Sequence, residues 1–182
     1  MLLATPPDDA TKTAVTTRPA EASDAPLVHG LYLATPSYFG IISIPIPTLE
    51  EVSTDLATAA ADPRRHVELV LVPPDGASGA QAVIADPVSG SVVAGYLDYK
   101  LDYPEPGDAT VNLLLVSPEL QSRGIGGACA RDLEARLKGK VSRLLASIYG
   151  ENPRARSFWE RLGYTFAIDA KPLLDWYAKA LA

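Results

Sequence analysis

The chain has 182 residues, 47% hydrophobic and 21% charged, with a formal net charge of −6 at pH 7. This suits one domain with a sizeable core, and the acidic balance argues against a surface that coats nucleic acid while leaving room for a small cationic substrate. One cysteine excludes an internal disulfide, His29 and His66 lack any metal-ligand spacing, no apolar run approaches the ~20 residues of a membrane helix, and Met1-Leu2-Leu3-Ala4 is too short and uncharged for a signal peptide, so a cytoplasmic setting with no membrane contact is the default expectation.

Residues 1–13, rich in Thr, Pro, Asp and Ala, read as a loose tail, and 14–182 as a single domain. Val15, Thr16 and Thr17 make a short strand closed by Pro19. Residues 21–34 follow as a helix: Leu27, Val28, Leu31 and Tyr32 sit at helical spacing, Ser23 or Asp24 is placed to cap it, and Pro26 falls in its first turn. Residues 35–47, TPSYFGIISIPIP, carry three prolines and four isoleucines. Prolines forbid a long helix here, and so apolar a loop must pack on its own core or on a ligand. Its stretch 38–46 also offers a face to a partner subunit, as in a homodimer.

Residues 48–60 resume a helix, with Thr48 as N-cap, Glu51 completing a capping box, and Val52, Leu56 and Ala59 or Ala60 as the buried face. Asp62-Pro63 ends it. Residues 66–72, 81–85 and 91–101 are strands, the last two joined by a hairpin signal at 86–90. A turn at 104–108 leads into the next strand, so this region is an antiparallel meander. Tyr96 and Tyr99 project to opposite faces of its third strand.

Residues 110–137, TVNLLLVSPELQSRGIGGACARDLEARL, read as strand, glycine-rich turn and helix. A helix start leaves N–H groups unpaired and favours negative charge, and glycines let the backbone approach a phosphate. A P-loop is excluded, because Gly139-Lys140-Val141-Ser142 has Glu134 where its first glycine belongs. A dinucleotide fold is disfavoured: the third small residue of GxGxxG is missing, no acidic residue follows on the next strand to hold a ribose, and the preceding strands form a meander. Cys129, between Ala128 and Ala130, reads as a small buried hydrophobe. Beyond Gly139, residues 141–149 form a strand buried on both faces, residues 153–162 a helix closed by Gly163, and residues 164–168 a strand. Residues 172–181 fit helix and strand periodicity equally, with the alanines leaning to helix.

Gln121-Ser122-Arg123-Gly124-Ile125-Gly126 resembles the [QR]-x-x-G-x-[GA] motif of the GNAT superfamily of N-acetyltransferases. Residues 152–164, NPRARSFWERLGY, are similar to the family's second signature, N-x-x-A-x-x-F-[Y]-x-x-x-G-[FY]. Two motifs at family spacing carry more weight than either alone, and the resemblance covers most of the chain from about Val15. It implies an α/β GNAT-like fold with a mixed, mostly antiparallel sheet of about seven strands and helices on both faces. It also makes the C-terminal segment, ending Lys179-Ala180-Leu181, a strand.

The resemblance implies acetyl-CoA as co-substrate and a small-molecule or peptide amine as acceptor, acetylated by direct attack on the thioester. Backbone N–H groups of Ser122, Gly124, Gly126 and Gly127, in the loop that starts at Gln121, would cradle the pyrophosphate, with Arg123 adding charge. Val116 would pair with the pantetheine arm, the Leu114 N–H would polarise the thioester carbonyl, Asn152 would bind the arm or simply cap its helix, and Phe158 would pack near the cofactor. The family's tyrosine acid is replaced by Trp159, whose indole has no usable acidity, and its glutamate base by Asn112. Asp98, Glu50, Glu51 or a water chain could stand in as base, and Tyr96, Tyr99 and Tyr103 are acceptor-site candidates. The missing acid and base also raise a second reading, a non-catalytic CoA sensor or partner subunit.

Overall fold

The computed structural model describes residues 14–171 and 174–181. The expected tail at 1–13 and residues 172–173 lie outside the described residues. The elements follow in the order β1 (Thr16–Pro19), α1 (Ala25–Ala34), α2 (Pro36–Ile42), α3 (Leu49–Ala61), β2 (Arg65–Val72), β3 (Ile84–Ala85), β4 (Val92–Leu101), β5 (Asp108–Val116), α4 (Ile125–Leu137), β6 (Arg143–Tyr149), α5 (Pro153–Arg161), β7 (Thr165–Lys171) and β8 (Leu174–Ala180). They form one eight-stranded sheet in the order β1-β2-β4-β5-β6-β8-β7, with the two-residue β3 on β4. The β5–β6 pairing is parallel and the others are antiparallel. The expected mixed, mostly antiparallel sheet is present, with one short strand more than the seven foreseen.

Each face of the sheet carries its own core. One core joins Val28 and Leu31 of α1, Phe39 of α2 and Leu56 of α3 to Leu69 and Leu115 of the sheet. The other joins Cys129 and Leu133 of α4 and Trp159 of α5 to Val111 and Ile148. A fully buried side chain of this size contributes ~1.5–3 kcal/mol, so the alternation of apolar residues along β5 and β6 holds helices on both sides. Tyr96 goes to the first core and Tyr99 to the second, on opposite faces as alternation requires.

Local chemistry explains most boundaries. Thr48 and Glu51 form the full capping box that starts α3. Pro19 is tolerated in β1 because β1 is a sheet edge. Asp24 does not cap α1 with its side chain. Its carboxylate pairs with Arg18, which also binds Asp86, so one guanidinium ties β1 to the entry of α1 and to the turn before β4. The proline-rich stretch is more ordered than a loop: Pro36 opens the seven-residue α2, and Ser43, at φ 57°, ends it. The prolines at 45 and 47 limit that helix rather than abolish it. The C-terminal segment is a strand despite its alanines, because β8 is paired on both edges, to β6 and β7, and two ladders outweigh helix propensity.

Candidate active site

The site begins where two strands part. The β5–β6 pairing runs from Asp108 opposite Arg143 to Val111 opposite Ala146 and stops. β5 continues to Val116 along β4, and β6 continues to Tyr149 along β8. A register shift opposite Asp98 and Tyr99 makes Asn112 an extra residue in β5, a bulge that bends the strand. An opening with two bare edges therefore lies inside the sheet.

The ladder decides which groups face that opening. Ser117 N–H donates to Ala94 O at 2.8 Å, one step past the Gly95–Val116 pair. Antiparallel cross-strand bonds recur at every second residue. The N–H groups of Val116 and Leu114 therefore turn away from β4, into the opening. Beyond the last parallel pair, Leu114 on β5 and Tyr149 on β6 both line the opening.

The opening widens into a cleft of about 540 Å³. Leu114, Val116, Gln121, Ser122, Gly124, Gly126, Gly127, Asn152 and Phe158, all expected from the sequence, line it. The loop before α4 has Ser122 at φ 63° and Gly124 at φ 79°, which turn successive backbone groups into a concave nest. Gly124 starts α4 without a side-chain cap, and the first turn holds no acidic residue. Ala128 N–H bonds back to Gly124 O at 2.9 Å; the N–H groups of Ile125, Gly126 and Gly127 precede that first helical bond and are the helix's orphan donors. Gln121 donates its side-chain amide to Val116 O at 2.9 Å, which clamps this loop to the strand. A β-carbon on Gly126 would touch the Phe158 ring at 3.4 Å and Val116 at 3.6 Å, so these three elements meet at one point.

The glycine-rich turn that the first motif marks lies beside this bare stretch of β5, and the helix that the second motif marks lines the same cleft. The sequence model of the acetyltransferase (GNAT) family matches residues 55–164. The chain belongs to the GNAT acetyltransferase family. It is 38% identical, with a TM-score of 0.79, to the crystal structure of an acetyltransferase from Thermus thermophilus, over 93% of this chain and 99% of that one. A spermidine N-acetyltransferase from Vibrio cholerae, solved with CoA and spermine, shares the fold at 14% identity and a TM-score of 0.67, over 92% of this chain and 95% of that one. The ribosomal L7/L12 alpha-N-protein acetyltransferase RimL, solved with coenzyme A, does so at 16% identity and 0.71, over 94% and 96%. A comparison with curated protein sequences gives no significant match. Acetyl-CoA as co-substrate fits the cleft of this GNAT protein.

Several side chains take other places than expected. Arg123 does not line the cleft; its guanidinium binds Ser78 O at 2.8 Å and braces the loop after β2. The cleft's arginines are Arg131, whose guanidinium lies over Gly127, together with Arg154 and Arg161. The sequence carried a signal for them: Arg154, Phe158 and Arg161 share one helical face, and Arg131 stands one turn after Gly127. Asn152 lines the cleft and also caps α5, its Oδ1 accepting from Ala155 N–H at 3.0 Å. Trp159, at the family's acid position, is buried in core contacts with Phe158 and Tyr164. Burial also holds the Cys129 thiol up at about 12, which leaves it inert.

The other wall of the cleft comes from α2 and β6: Thr35, Ser37, Tyr38 and Ile41 face Ser147 and Tyr149. Tyr96, Tyr99 and Tyr103 stay out of it, as do Glu50 and Glu51. Burial pushes Tyr38 up to about 12, with Tyr149 as the next contributor, and burial raises Tyr149 as well. Asp98 is held by Arg65, at 2.6 Å, and by the Asn112 side chain, at 3.1 Å. Among the described residues, no group of three or more His, Cys, Asp or Glu could hold a metal ion, and no helix is long and apolar enough to cross a membrane.

Proposed function

We propose that the protein moves an acetyl group from acetyl-CoA to the amine of a small molecule or peptide. The observation that carries this reading is the bare β5 edge beside the nest before α4. The pyrophosphate would sit on the N–H groups from Ser122 to Gly127, with Arg131 over them. The pantetheine arm would pair with Val116, bind the Asn152 amide and run past Phe158. The thioester carbonyl would accept from Leu114 N–H, a donor of the kind whose loss typically costs ~3 kcal/mol.

The acceptor nitrogen attacks the thioester carbon and, cationic once bonded, gives up a proton to water, which later restores the acid; the C–S bond breaks, and the departing thiolate takes a proton. Trp159 cannot supply it. Tyr149 can: it lines the same cleft as Leu114, and partial desolvation raises its phenol above the ordinary value. The acceptor enters as the neutral amine, its proton passing to solvent at the mouth of the cleft, because Asp98 is already engaged by Arg65 and Asn112. Positioning supplies most of the rate, an effect that can reach ~7–11 kcal/mol.

The buried Trp159 and the tied Asn112 favour a second reading, a sensor that binds acetyl-CoA without turnover. Acetyl-CoA should raise the melting temperature, and Gly126→Asp should abolish that rise while leaving the fold intact; an unchanged affinity would overturn the cofactor site. Release of free CoA with polyamines, aminoglycosides, amino acids or N-terminal peptides decides for the enzyme. No release with any of them, in a protein that binds acetyl-CoA, decides for the sensor.

A further inference from the structure

A second cavity, of about 360 Å³, lies between α1 and α3 and shares no lining residue with the cleft. Three rings separate the two: Tyr32 lines the second cavity and meets Phe39 edge-on at 5.1 Å, and Phe39 meets Tyr38 of the cleft at 5.2 Å. Tyr96 also lines the second cavity. It is 1% exposed, and its hydroxyl has no hydrogen-bond partner. A buried hydroxyl left unpaired is costly, so such a group invites a ligand to complete it.

The surroundings define the chemistry of that ligand. The rings of Tyr32 and Tyr96 stand 6.1 Å apart at 89°, two walls of an aromatic corner. Asp55 and Glu51 line the same cavity. Arg65 binds Asp55 at 2.8 Å and Asp98 at 2.6 Å, so its single charge is shared by two carboxylates, and Glu51 adds a further negative charge to the cavity wall. The Thr48 cap engages one Glu51 oxygen, but the charge remains. Val52 and Leu56 supply an apolar wall. Aromatic faces with an excess of carboxylate attract a cation, and the apolar wall favours a hydrocarbon tail.

We propose that this cavity binds a primary alkylammonium group, its nitrogen donating to the Tyr96 hydroxyl and facing the Tyr32 and Asp55 side, its carbon chain along Val52. Rim residue Ile44 is 48% exposed. The site is separate from acetyl transfer and is testable without acetyl-CoA.

The experiment is an NMR titration of the full chain with butylammonium, 1-butanol and butyrate. Butylammonium should shift resonances of Tyr32, Val52 and Tyr96, 1-butanol should bind at least about tenfold more weakly, about 1.4 kcal/mol, and butyrate should not bind. Tyr96→Phe should weaken butylammonium several-fold in a folded protein, and Ile44→Arg, a cation at an exposed rim position, should abolish binding. Equal affinity for 1-butanol, or shifts confined to Tyr38 and Tyr149 in the cleft, or affinity unchanged by Ile44→Arg would overturn the proposal.

Discussion

A β-carbon on Gly150 would lie 2.5 Å from the carbonyl oxygen of Ile41. The last turn of α2 thus rests directly on the backbone turn between β6 and α5, and Gly150 holds φ 64°, a conformation that favours glycine. This contact sets how closely α2 covers the cleft. Gly150→Ala should destabilise the protein by about 1–3 kcal/mol through strain and the displaced helix. It should also raise KM for the amine more than KM for acetyl-CoA, since α2 forms the wall opposite the cofactor loop. Urea denaturation and steady-state kinetics check both; equal rises in the two KM values would remove α2 from the acceptor side.

Tyr149 lines the cleft together with Leu114, the residue whose N–H faces the thioester in our reading. Tyr149→Phe should lower kcat by about 100-fold, in the usual range for a general acid or base, with acetyl-CoA affinity unchanged. The defect should nearly vanish with an acetyl thioester whose thiol leaves without protonation. Burial raises the Tyr149 phenol above its ordinary pKa of about 10. An acid works only while protonated, so the rate should fall only at pH beyond that ordinary value. Between pH 7 and 9 kcat/KM should rise instead, as more of the acceptor becomes neutral. A loss of rate in Tyr149→Phe that is the same for both thioesters would assign the residue to positioning.

The sequence made the glycine loop and the start of α5 legible because local chemistry builds them. A polar turn with glycines before a helix, and Asn152 three residues before Ala155, declare themselves within a few positions. The facing wall of the cleft depends on long-range register. Nothing near Tyr149 says that the β5–β6 pairing stops at Val111 and Ala146, yet that stop opens the cleft that Leu114 and Tyr149 both line. Likewise α2 is not legible in residues 35–47, because its stability comes from Phe39 on the core and from Gly150 beneath the Ile41 carbonyl. Arg123 misleads for a similar reason: charge beside a phosphate motif suggests a phosphate contact, but the carbonyls that hold it belong to a loop some forty positions earlier, at Gly76 and Ser78.

The two arginines near the glycine loop should therefore behave differently. Arg131→Gln should weaken acetyl-CoA binding by about tenfold, a little over 1 kcal/mol for one charge near a phosphate, and should reduce the salt dependence of binding. Arg123→Gln should leave affinity within a factor of about two and lower the melting temperature instead, because it frees the loop after β2. Calorimetric titration at two salt concentrations separates these effects, and a larger affinity loss in Arg123→Gln than in Arg131→Gln would reverse the assignment.

Arg18 carries the last prediction, because it binds two carboxylates at once. Its hydrogen bonds are the leading cause that holds both Asp24 and Asp86 below the ordinary carboxylate range, and the Asp86 side chain is fully buried. A group whose folded pKa is depressed gives up its proton more readily folded than unfolded. Its stabilisation is therefore complete above the unfolded value of about 4 and is lost as pH falls through the lower folded value. Asp86→Asn leaves the guanidinium and its remaining partner, and breaking a buried pair costs about 3 kcal/mol. At pH 7 the urea midpoint of Asp86→Asn should lie well below that of the parent protein. The gap should narrow steadily from pH 4 to pH 2.5, because over this range the unfolded parent chain takes up a proton on Asp86 that the folded chain still refuses. A gap that stays constant over this range would mean that Asp86 acts through packing alone and that its charge does not hold β1 to the turn before β4.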